Sequence, residues 1–96
     1  MRVLVSYDVQ TTDAAGRRRL RRVAKACQNY GTRVQWSVFE CSVGDKEMVK
    51  LRASLLDIIN PNADSLRIYR LGDDDALRTE HHGVRQPLDL DGPLVL

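Results

Sequence analysis

The sequence predicts a two-layer α/β sandwich: one sheet with two helices on one face, ordered β-α-β-β-α-β, plus an additional C-terminal strand. Three observations predict it. Val3-Leu4-Val5 is a short continuous apolar run, as expected of a central strand covered on both faces. Two segments, one from Ala14 and one from Gly44, carry apolar residues at helical spacing. The segments that follow each of them alternate with the period of a strand. Right-handed crossovers turn that order into a ferredoxin-like sheet whose second face is left uncovered, and a second copy of the chain is the natural cover, giving a homodimer.

Each element has its own signals. Residues 2–9 are Val-rich with Tyr7, and the polar run Gln10-Thr11-Thr12-Asp13 follows. Asp13 is an N-cap for a helix from Ala14 to Tyr30, in which Leu20, Val23, Ala24 and Cys27 fall on one face. Gly31 reads as its C-terminal stop. From Arg33 to Ser42, Val34, Trp36 and Val38 alternate with Gln35, Ser37, Phe39 and Cys41, with a bend near Trp36-Ser37 where one strand hands over to the next. Gly44-Asp45 opens the second helix, which runs to about Ile59 and buries Met48, Leu51, Leu55 and Ile58 or Ile59. Asn60-Pro61-Asn62 stops it, and Asp64 to Leu71 is the next strand, Leu66 and Ile68 alternating with Arg67 and Tyr69.

After the acidic turn Gly72-Asp73-Asp74-Asp75, residues 76–96 lack a helical period and are punctuated by Gly83, Pro87, Gly92 and Pro93. The apolar ending Pro93-Leu94-Val95-Leu96 reads as a short strand added to a sheet edge. Residues 1–71 are therefore expected to form the core of a single domain. Residues 72–96 are its tail, packing on the dimer partner.

Composition narrows the function classes. With 96 residues the chain is one domain, and 43% apolar with 29% charged residues is an ordinary globular balance. The longest apolar run is three residues, far short of the roughly 18 to 20 that cross a bilayer, so no membrane association is expected. No signal-peptide pattern is present, and the expected compartment is the cytoplasm. Cys27 and Cys41 form no C-x-x-C pair and read as small buried hydrophobes in a reducing compartment. Charge is uneven. Residues 1–42 hold eight Lys or Arg against three acids, whereas residues 43–96 hold seven against ten. The first half suits a polyanionic partner.

That basicity concentrates in the first helix. Arg17, Arg18, Arg19, Arg21, Arg22 and Lys25 are six cations with no acid among them. Arg18, Arg21, Arg22 and Lys25 lie opposite the Leu20 face, and Arg17 and Arg19 flank it. Their mutual repulsion costs helix stability, which a phosphate backbone would relieve; the competing reading is a solvated basic face. Arg33 extends the patch. Asp8 stands at the C-terminal end of the central strand, where α/β folds often place sites, although a strand-end Asp is also a common turn former. One carboxylate holds Mg²⁺ poorly, but two Asp8 side chains facing across a two-fold axis would hold it better. His81-His82 points to opposite sides of an extended chain and reads as a surface loop rather than a joint metal site.

Several segments together resemble one family, the small CRISPR-associated adaptation proteins of the Cas-two family. They are Val5-Ser6-Tyr7-Asp8-Val9, the stretch Tyr30-Gly31-Thr32-Arg33-Val34-Gln35-Trp36-Ser37-Val38-Phe39-Glu40-Cys41, and Asp64-Ser65-Leu66-Arg67-Ile68-Tyr69. The Val-Gln-x-Ser-Val-Phe-Glu core is the specific part. The ending Leu90-Asp91-Gly92-Pro93-Leu94-Val95-Leu96 is similar to that of some members. The resemblance implies a ferredoxin-like homodimer with a Mg²⁺ shared between two Asp8 carboxylates. It also implies a metal-dependent endonuclease acting on single-stranded RNA or double-stranded DNA, or a non-catalytic bridge that partners the CRISPR integrase during spacer capture. Tyr7, Asp8, one arginine among Arg17 to Arg19, Arg33 and Phe39 fall at positions that the family uses or holds in common. The turn at Asp73-Asp74-Asp75 has no counterpart in it. A ferredoxin-like regulatory or small-molecule domain is the remaining reading.

Overall fold

Period-two alternation divides β1 (Arg2–Asp8) between two environments. Val3, Val5 and Tyr7 face the helices and join the main core, whereas Leu4 packs with Val38, Tyr69 and Leu71 in a second, smaller cluster. In this computed structural model the described residues are 1–72 and 78–84. Beyond β1 they comprise α1 (Ala14–Gln28), β2 (Gly31–Gln35), β3 (Val38–Ser42), α2 (Asp45–Ile58), β4 (Ser65–Leu71) and β5 (Arg78–Gly83).

The sheet is antiparallel with strand order β2-β3-β1-β4-β5. β1 is central: Val5 lies opposite Phe39 on one side and Ile68 on the other. The first four strands and two helices have the expected ferredoxin-like arrangement, and β5 extends it along the outer edge of β4. Leu51, Leu55, Val23, Leu66 and Ile68 are fully buried between helices and sheet. Burial of such a side chain is worth about 1.5–3 kcal/mol. The like-charge repulsion along α1 amounts to a few tenths of a kcal/mol per pair, so packing decides that the helix forms.

The helices keep close to their predicted bounds. Asp13 caps α1 by accepting from the Gly16 amide at 2.7 Å. The Glu47 carboxylate accepts from the Gly44 amide at 2.9 Å at the start of α2. α1 ends at Gln28, two residues earlier than its periodicity suggests, with Asn29 as C-cap. Gly31 therefore does not stop a helix but opens β2. A Cβ there would overlap the Glu40 carbonyl and sit 2.7 Å from Cys41 Cα, so glycine lets β2 approach β3.

Two further corrections concern strands. The bend expected at Trp36-Ser37 is a turn that leaves Trp36 exposed, but the alternation before it is broken by a bulge between Arg33 and Gln35 that the pattern does not show. His81 and His82 are not in a surface loop. They lie in β5, opposite Arg67 and Leu66 respectively. Arg-Thr-Glu-His-His-Gly has no apolar face to read. It is held by the backbone ladder and by the Arg52 guanidinium on α2, whose Nε donates to Glu80 at 2.9 Å. The sheet-edge strand expected at Pro93–Leu96 lies outside the described residues, as does the Asp73-Asp74-Asp75 turn.

Candidate nucleic-acid interface

Asp8 is exposed at the end of β1, opposite Ser65 of β4. The residue before it is tied to the β2–β3 hairpin by two hydrogen bonds. The Tyr7 amide donates to the Ser37 carbonyl at 3.1 Å, and the Tyr7 hydroxyl donates to the Trp36 carbonyl at 3.4 Å. The Tyr7 ring stacks on Phe39 with centroids 6.3 Å apart, and the Arg33 guanidinium lies 5.1 Å from the Phe39 centroid. Burial pushes the Tyr7 phenol above its usual value, and the Arg33 side chain only partly offsets this. Tyr7 is thus a neutral hydrogen-bond donor rather than a base. Phe39, fully buried, fixes both Tyr7 and Arg33.

The arginines of α1 separate into two groups. Arg17, Arg18, Arg21, Arg22 and Lys25 are exposed and present a cationic face. Arg19 does not belong to that face. Its Nε donates to Asp64 Oδ2 at 2.8 Å and its Nη2 to Asp64 Oδ1 at 3.2 Å. Asp64 is fully buried and also accepts from the amides of Gln10 and Asn60, at 3.0 and 2.8 Å. Burial alone would raise the Asp64 carboxyl, but hydrogen bonds from Arg19, Asn60 and Gln10 outweigh it and hold it below its ordinary value. Arg19 is committed to structure: it pins the loop after Asp8 and the turn before Ser65.

An exposed carboxylate is the donor type that Mg²⁺ prefers. Among the described residues, however, no group of three or more His, Cys, Asp or Glu gathers around Asp8 or elsewhere. His81 and His82 do not supply a site. His82 Nε2 lies 3.4 Å from Glu80 Oε2, and His81 Nε2 lies 3.3 Å from the Gly83 carbonyl. Among the described residues the donor set around Asp8 is therefore short of the three or more ligands a metal site usually gathers. Two contributors had no signal in the sequence reading. Asp64 reads only as the opening of a strand, and a buried acid is recognisable only once its cation, 45 positions away, is placed beside it. Trp36 reads only as a residue of the expected bend, and its exposure is visible once the turn is placed.

A ferredoxin-like sheet whose central strand ends in an exposed carboxylate, followed by an arginine-rich helix, places the chain among small ferredoxin-like α/β proteins. The family model described as CRISPR associated protein Cas2 matches residues 1–79, and the chain belongs to this family. The CRISPR-associated endoribonuclease Cas2 of Chlorobaculum tepidum is 58% identical over the full length of both chains. The CRISPR-associated endonuclease Cas2 of Halalkalibacterium halodurans is 52% identical, over 99% of each. Among solved structures, Streptococcus pyogenes Cas2 at pH 6.5 superimposes with a TM-score of 0.71 at 55% identity, over 77% of this chain and 89% of that one. No helix among the described residues is long and apolar enough to cross a membrane.

Proposed function

We propose that this chain is a metal-dependent endonuclease of CRISPR spacer acquisition, acting as a homodimer in which the Asp8 carboxylates of the two copies share one Mg²⁺. The observation that carries this reading is the exposed, strand-end position of Asp8, beside which the described residues gather no larger donor group. The names of the relatives from Chlorobaculum tepidum and Halalkalibacterium halodurans support a nuclease. The substrate is single-stranded RNA or double-stranded DNA. Arg17, Arg18, Arg21 and Arg22 hold its phosphates, and Arg33 reaches the strand from its seat on Phe39. Tyr7 supplies a neutral donor beside the site. Mg²⁺, when bound, supplies positive charge at the phosphate and lowers the pKa of water.

The sparse donor set among the described residues also favours a second reading: a non-catalytic DNA-binding scaffold that bridges integrase dimers, with Asp8 structural. Purified protein is incubated with RNA and with duplex DNA, in Mg²⁺ or EDTA. Cleavage by wild type but not by Asp8→Asn supports the enzyme, with specific activity falling on dilution below the dimer Kd. Equal background cleavage in both proteins, with spacer acquisition retained in an Asp8→Asn strain, supports the scaffold.

A further inference from the structure

Trp36 is 88% exposed and belongs to neither hydrophobic cluster. An indole is ordinarily one of the better-buried side chains, because it carries a large apolar surface. Here the turn residue of the β2–β3 hairpin holds it out in solvent, and Val34, two positions earlier, is 44% exposed. The bulge between Arg33 and Gln35 takes Val34 out of the regular pairing, and Trp36 stands in the turn that follows. Arg33, Val34, Gln35 and Trp36 together line one shallow concavity.

The hairpin tip is anchored to the site. The Trp36 carbonyl accepts from the Tyr7 hydroxyl and the Ser37 carbonyl accepts from the Tyr7 amide, so the backbone carrying the indole is fixed to the residue next to Asp8. A guanidinium stands in the same concavity, and five exposed cations stand on α1. An exposed aromatic face beside fixed positive charge suits a ligand with a flat π-surface and a phosphate.

We propose that Trp36 is a stacking platform for an unpaired nucleobase of a single-stranded nucleic acid whose phosphates the arginines hold. This rests on the phosphate-binding reading above and deepens it, because it selects the strand form. In a duplex both faces of a base are already stacked. In a single strand they are open, and stacking on an indole tolerates any sequence.

Trp36 is the single tryptophan of the chain, so its emission reports the contact directly. Three fluorescein-labelled probes of equal length are titrated onto the full-length protein: oligothymidylate, an all-abasic strand and a duplex. Anisotropy follows binding and selectively excited tryptophan emission follows stacking. The expected result is binding of all three, with quenching by oligothymidylate alone. Trp36→Ala loses about tenfold in affinity for oligothymidylate and nothing for the abasic strand, and Trp36→Phe keeps most of the affinity. An Arg18/Arg21/Arg22 triple Ala variant weakens all three probes yet still shows quenching at saturation. Binding with unchanged emission, or equal affinity of Trp36→Ala and wild type, overturns the platform and leaves the phosphate surface standing. Equal quenching by the duplex overturns the choice of an unpaired base. No anisotropy change with any probe overturns both readings.

Discussion

Arg19 and Asp64, 45 positions apart, are joined by two hydrogen bonds between guanidinium and carboxylate. Asp64 is fully buried while the Arg19 side chain keeps 18% exposure, so the pair sits at the boundary of the core. Its position explains why the strand end is well defined. Asp64 precedes Ser65, the register partner of Asp8, and also holds the Gln10 amide just beyond Asp8. Removing either partner leaves the other without its counter-charge.

Asp64→Asn is expected to destabilise the fold by about 3 kcal/mol, the lower end of the range for breaking a buried pair. The pH dependence has a definite sign. The Asp64 carboxyl is held below its ordinary 3.8, so its stabilisation is fully present above that value and is lost as pH falls through the lower folded pKa. Urea unfolding at neutral and at acid pH checks this. The wild type loses stability on acidification more steeply than Asp64→Asn, and parallel curves would contradict the assignment.

The two thiols give a second prediction. Burial pushes Cys27 up to about 12 and Cys41 up to about 11. At mildly alkaline pH neither is thiolate, and both are enclosed. A disulfide exchange reagent at pH 8 is expected to label neither cysteine in the native protein and both in denaturant. Rapid native labelling of either would show that the core opens near α1 and β3.

Gly31 and Gly83 are expected to differ in how they fail. At Gly31, Ala brings a Cβ onto the Glu40 carbonyl and Cys41, a packing conflict costing about 2 kcal/mol. At Gly83 the φ of 92° adds backbone strain to overlap with the Asp64 carbonyl. Thermal melts should rank wild type above Gly31→Ala. In Gly83→Ala, amide exchange should quicken in β5, because Val84 donates to that same Asp64 carbonyl at 2.8 Å.

The fold was legible wherever apolar periodicity carried the information. β1, α2 and β4 end within a residue or two of their predicted bounds because Val3, Val5, Leu51, Leu55, Leu66 and Ile68 report their own burial. β5 was not legible, since Glu80, His81 and His82 belong to a strand only through a backbone ladder and the cation on α2. The site was partly legible. Asp8, Tyr7 and Phe39 stand out as types in a pattern, and the helical wheel puts Arg19 beside the apolar face and Arg18 opposite it, but it does not name the partner that commits Arg19 to structure. That partner is the distant Asp64.

That distinction yields the last prediction. Arg18, Arg21 and Arg22 are exposed, and each phosphate they neutralise releases condensed counterions. The triple Ala variant should bind duplex DNA with a log-log salt slope shallower by about 2.7, at 0.9 per lost phosphate contact. Arg19→Ala removes the same charge from the same helix, yet its guanidinium is already neutralised by Asp64. Its salt slope should stay at the wild-type value while its unfolding midpoint drops. Fluorescence anisotropy across a salt series, run beside urea unfolding, separates the two effects. A shallower slope for Arg19→Ala, at unchanged stability, would put Arg19 on the phosphate surface and break the division of α1 into a binding face and a structural anchor.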